Sequence, residues 1–107
     1  MDEVGRARAI LTAMLAQDFP GAREYREQLT VATLVCGSTG CDIDVDRERS
    51  SPAPYDIDHP GAQLPVEATG HGKLWIILHG FEGFLDDLEL VSASEFPPLE
   101  TIRVHTN

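Results

Sequence analysis

Residues 41–46 (Cys-Asp-Ile-Asp-Val-Asp) alternate apolar and acidic side chains without a break. Successive side chains of a β-strand point to opposite faces. The run therefore predicts a strand with Cys41, Ile43 and Val45 on one side and Asp42, Asp44 and Asp46 on the other. Such a strand belongs in a sheet with one buried face and one wet face, as antiparallel sheets commonly have.

The rest of the chain supplies the partners. Residues 3–17 place Ala7, Ile10, Leu11, Met14 and Leu15 at three- and four-residue spacing, which predicts an amphipathic helix with Asp2 as its cap. Asp18 is expected to cap a second, short helix with Pro20 in its first turn and Ala22, Tyr25 and Leu29 buried. Residues 29–36 are β-branched and apolar and read as a strand. Further strands are expected at 64–69, 73–79 and 84–92, separated by glycine turns. Residues 102–104 can add a short edge strand, while Pro97-Pro98 interrupts regular structure before it. Residues 47–63, with three prolines, read as a long loop. Helices first and hairpins after predict a single α+β domain over 1–107. Two N-terminal helices would pack on one face of a four- to five-stranded antiparallel sheet, connected as a meander. Trp75, in a nearly continuous apolar run, is expected in the core.

The formal net charge is −10, from 18 acids against 8 bases. That argues against binding a nucleic-acid backbone, where cations supply most of the affinity, and against an anionic membrane surface. The charge is also uneven. Residues 1–28 hold five acids and four arginines, whereas the other 13 acids face only four bases. No apolar run approaches the ~20 residues of a membrane span, and the N-terminus is not patterned as a signal peptide. A cytoplasmic protein is the expectation.

Sites for chemistry are few. Cys36 and Cys41 flank a predicted hairpin turn. They can be paired thiols in a reducing compartment, half of a zinc site, or a disulfide. Thiols come first in this reading, and zinc would need two further ligands from His59, His71, His79 or His105. Asp42, Asp44 and Asp46 do not form a calcium loop, because Arg47 and Ala53 stand where that loop needs glycine and glutamate. There is no phosphate-binding glycine motif and no nucleophile elbow. An enzyme is therefore not expected, nor a cofactor.

Asp87 and Glu89 share a face of their strand, opposite Leu88 and Leu90. The expected site is an anionic strip of Asp42, Asp44, Asp46, Asp87 and Glu89, with Glu82 and Phe81 as rim contacts, facing a basic protein. The alternative is a small metal- or ligand-binding module centred on the Cys36/Cys41 hairpin. Self-association through the sheet is a third possibility, opposed at the acidic face by charge repulsion.

DFPGAREYREQL at 18–29, the Cys-Gly turn at 36–41, PVEA at 65–68 and WIILHGFEGFLDDLEL at 75–90 together resemble a group of small, functionally uncharacterised actinobacterial proteins. Members have a Cys-Gly-Cys-Gly-Cys turn, whose middle cysteine is missing here, and the resemblance implies no activity. In style only, a small acidic α+β domain is similar to immunity proteins that neutralise bacterial toxins, many of them nucleases with cationic clefts.

Overall fold

The computed structural model describes residues 2–107. Two helices cover one face of a six-stranded antiparallel sheet, one strand more than the expected four to five. Helix α1 spans Glu3–Leu15, capped by the Asp2 carboxylate, which accepts from the Gly5 amide at 2.7 Å. All five apolar residues expected on its inner face are fully buried. Burying a side chain of the size of Ile10 or Leu11 contributes roughly 1.5–3 kcal/mol.

Helix α2 spans Ala22–Leu29, and Ala22, Tyr25 and Leu29 are buried as expected. Its N-terminus differs from expectation. Gly21, with φ +87°, is the cap residue, and no side chain caps the helix. The chain has to reverse sharply after α1, and glycine reaches this left-handed conformation without strain. Asp18 and Pro20 thus lie before the helix rather than at its first turn.

The arginines of this region have structural partners. Arg8 donates to the carbonyls of Leu29 and Ala32 at 3.1 and 2.8 Å, and Arg26 donates to that of Leu15 at 2.7 Å. Each helix thereby has carbonyls at its C-terminal end satisfied by an arginine of the other.

The strands are β1 (Ala32–Gly37), β2 (Gly40–Val45), β3 (Gly61–Thr69), β4 (Trp75–Phe81), β5 (Phe84–Val91) and β6 (Arg103–Thr106). Their order across the sheet is β1-β2-β5-β4-β3-β6. This is not a simple meander. β3, β4 and β5 form one, but β2 pairs with β5, so the 46–60 segment crosses from one part of the sheet to another. After β5 the chain crosses back to the far edge, where β6 pairs with β3.

Both crossings are anchored. In the first, Ala53 is buried and its amide donates to the Gly83 carbonyl at 2.7 Å. In the second, Phe96 is 1% exposed and its backbone bonds the side chains of Arg6 and Glu3 on α1. The fully buried Gln28 links α2, the first crossing and the β4–β5 turn. It donates to Ser51 and Gly83 carbonyls at 3.0 and 2.8 Å and accepts from the Leu85 amide at 2.9 Å.

The turn between β4 and β5 is two residues, Glu82 and Gly83, at φ +54° and +82°. Positive φ at both positions marks the hairpin turn whose twist matches the strands. A side chain at Gly83 would run into the Ala53 carbonyl, so the same glycine lets the crossing pass close by.

Candidate functional site

The helices cover the face holding Cys41, Ile43, Val45, Ile76, Leu78 and Leu88, all buried. The opposite face carries no helix. Strand register fixes what meets there. One row runs Val35, Asp42, Asp87, His79, Gln63 across β1, β2, β5, β4 and β3. The next places Glu89 beside Ile77, then Glu67 and His105. A third runs Val91, Trp75, Thr69, Arg103.

Asp42 and Asp87 are thus directly opposite each other on neighbouring strands. Like charges in that relation destabilise a sheet unless something compensates. Burial, chiefly, pushes the Asp87 carboxyl above the usual carboxylate range. Asp42, Asp86 and Glu89 push it the same way, and His79 pulls it down. His79 Nε2 lies 2.8 Å from Glu89 Oε1.

A bulge concentrates the charge further. The register of β4 against β5 passes from Gly80↔Leu85 to His79↔Asp87, so Asp86 has no partner across the ladder. Such an extra residue re-aims the strand locally. Asp86 and Asp87 consequently both line an open depression of about 450 Å³, with Asp42, Gln63, His79 and Phe81. Among the described residues, no lysine or arginine forms an ion pair with Asp42, Asp44, Asp86, Asp87 or Glu89.

The seven residues expected to form a partner-binding strip do not all lie together. Asp42, Asp44, Asp87 and Glu89 share the helix-free face. Asp46 lies beyond the end of β2 and accepts from the Glu48 amide at 3.1 Å, closing the turn into the first crossing. Glu82 is paired with Arg47 at 3.2 Å, so its charge is offset. Phe81 is 42% exposed at the edge of the depression, which suits a rim contact.

Trp75 corrects the core expectation. It lies on the outer face, 39% exposed, with its indole N–H donating to Glu67 Oε2 at 2.9 Å. Ile76 and Leu78, its neighbours on the other face of β4, take the core positions instead. With Val35, 66% exposed, and Phe81, Trp75 gives the acidic face apolar contact area around its charge. Strand-by-strand reading does not place Asp86 on this face, nor His79, which it offers only as a possible zinc ligand for the cysteine hairpin.

Cys36 and Cys41 are opposed on β1 and β2 and form a disulfide. This corrects the expectation of free thiols. A disulfide sulfur carries no thiolate charge to offer a metal. Cys41 also faces the core, away from His79 and His105 on the outer face, while His59 and His71 are exposed in connecting segments. The hairpin therefore assembles no cysteine–histidine site in this state. No helix among the described residues is long and apolar enough to cross a membrane. Comparison of the chain with family models, curated proteins and solved structures gave no match.

Proposed function

We propose that the chain is a non-enzymatic docking protein whose helix-free sheet face binds, and so neutralises or regulates, a basic protein. The observation that carries this reading is the set of carboxylates of Asp42, Asp44, Asp86, Asp87 and Glu89, gathered on one face with no lysine or arginine ion-paired to them among the described residues. A partner's lysines or arginines would supply the missing countercharge. The repulsion at Asp42 and Asp87 would be relieved on binding, and the field would steer encounter. Trp75, Phe81 and Val35 would supply the apolar contacts that charge alone lacks.

The specific form of this proposal is an immunity protein, acting in the cytoplasm, that occupies the cationic cleft of a toxin. The fold contributes a rigid platform, since the site lies on paired strands rather than on loops.

The test is affinity capture with the wild-type chain and with an Asp42→Lys/Asp44→Lys variant, followed by purification of whatever the two hold differently. A basic protein held only by the wild type, with affinity that falls steeply with salt, is the expected result. A partner bound equally by both forms, or bound without salt dependence, would contradict the assignment of the face.

A further inference from the structure

One imidazole and two carboxylates converge at the centre of the outer face. One ligand atom from each of His79, Asp87 and Glu89 lies within 4.8 Å of the other two. His79 and Asp87 are register partners on β4 and β5, and Glu89 stands two residues further along β5 on the same face. All three donors therefore project from adjacent, central, hydrogen-bonded strands. Each is half-buried, and the depression beside His79 and Asp87 leaves room for water.

The spacing suits a small dication. With bonds of about 2.0–2.2 Å to nitrogen and oxygen, ligand atoms at adjacent corners of a coordination sphere stand about 2.8–3.6 Å apart. His79 Nε2 and Glu89 Oε1 already stand 2.8 Å apart. A carboxylate oxygen of Asp87 lies within 4.8 Å of both.

The donor set selects the class of ion. Calcium takes six to eight oxygens, and magnesium prefers oxygen in near-ideal octahedral geometry. Copper(I) selects sulfur; the two cysteine sulfurs are engaged with each other on the hairpin, and the Met14 thioether is buried in the core under the opposite face. One imidazole nitrogen with two carboxylate oxygens suits zinc and its first-row neighbours. Asp42 and Asp86 border the same place and add negative charge that a dication would offset.

We propose that His79, Asp87 and Glu89 form a binding site for a divalent transition metal of the zinc class, with water filling the remaining positions. The site does not depend on the docking of a basic protein. A bound ion would lower the negative charge at the centre of that face.

The test is calorimetric titration of the full chain with zinc chloride in chelator-free buffer at pH 7. His79→Ala, Asp87→Asn and Asp44→Lys variants are titrated alongside, and far-UV circular dichroism checks their folding. The expected result is one zinc ion per chain. Affinity should fall about tenfold or more in His79→Ala and Asp87→Asn, the loss seen even when a group that merely supports a metal ligand is removed. Calcium at the same concentrations should give no saturable heat. Asp44→Lys, which should abolish docking of a basic protein, should leave zinc affinity within about twofold. Long-range proton–nitrogen spectra should show the His79 imidazole shifting before that of His59, His71 or His105. Absence of saturable zinc binding, or binding that survives both the His79→Ala and Asp87→Asn changes, would overturn the proposal. Because Asp44→Lys separates the two, failure of the metal site leaves the docking reading standing, and the reverse holds.

Discussion

Replacing Gln28 by alanine should cost about 5 kcal/mol, at the top of the range for single substitutions. The side chain is fully buried and makes three hydrogen bonds, to Ser51, Gly83 and Leu85. Truncation leaves the buried Leu85 amide without its acceptor, at about 1–3 kcal/mol. The two donated bonds are lost at about 1 kcal/mol each, the Gly83 carbonyl still keeping the Ala53 amide. The cavity left by the missing side chain adds about 1 kcal/mol. Urea unfolding at 25 °C, followed by circular dichroism, measures the sum. Gln28→Glu separates this account from a mere packing defect. The isostere keeps the acceptor for Leu85 but, when ionised, sets a negative charge against two carbonyl oxygens. Burial raises such a carboxyl in the folded state, so its contribution is retained at low pH and lost as pH rises through the folded value. Gln28→Glu should therefore be more stable in mild acid than at pH 7. A loss below about 1 kcal/mol in Gln28→Ala, or a Gln28→Glu stability that does not change with pH, would refute the claim that this residue ties α2 and the first crossing to the β4–β5 turn.

Four further outcomes follow from the geometry. Asp87→Asn should raise stability at pH 7, because the folded-state carboxyl is raised and its ionised form is disfavoured; the gain should vanish below the unperturbed value of 3.8, where both states are protonated. Reducing Cys36–Cys41, which closes a sequence separation of five, should lower stability by about 2 kcal/mol from loop entropy, read as a shift of the thermal midpoint with and without dithiothreitol. If the chain works in the cytoplasm, acid-quenched alkylation of protein from intact cells should trap both cysteines as thiols, and a fully oxidised pair would place it in an oxidising compartment. Acrylamide should quench Trp75 fluorescence efficiently in the native state, since the indole lies on the open face; quenching no better than for a buried indole would contradict its placement.

The α+β class and the two faces of β2 could be read from residues 41–46 and from the spacing in α1, because burial there follows local periodicity. Strand order could not. It depends on β2 pairing with β5, two segments more than 40 residues apart, and on where Ala53 and Phe96 anchor the crossings. Trp75 was misread because Lys73–His79 looks apolar on both sides, whereas β4 buries Ile76 and Leu78 and exposes Trp75 and Phe81. The place of His79 among the carboxylates is hidden for a subtler reason. Counting back from the Glu82-Gly83 turn pairs it with Asp86, and only the bulge sets it opposite Asp87 and next to Glu89. Alternation within a strand cannot show a bulge, since a bulge is a property of two strands in register. Asp46 continued the alternation by one residue past the end of the ladder, where its carboxylate turns to the backbone of the next segment.

Nuclear magnetic resonance mapping with a lysine-rich peptide tests most directly whether the helix-free face is where basic groups bind. The amides of 42–44 and 86–89 and the Trp75 indole should shift on titration, and the shifts should be suppressed at high salt. Shifts scattered over the surface, or centred on the helices, would contradict it.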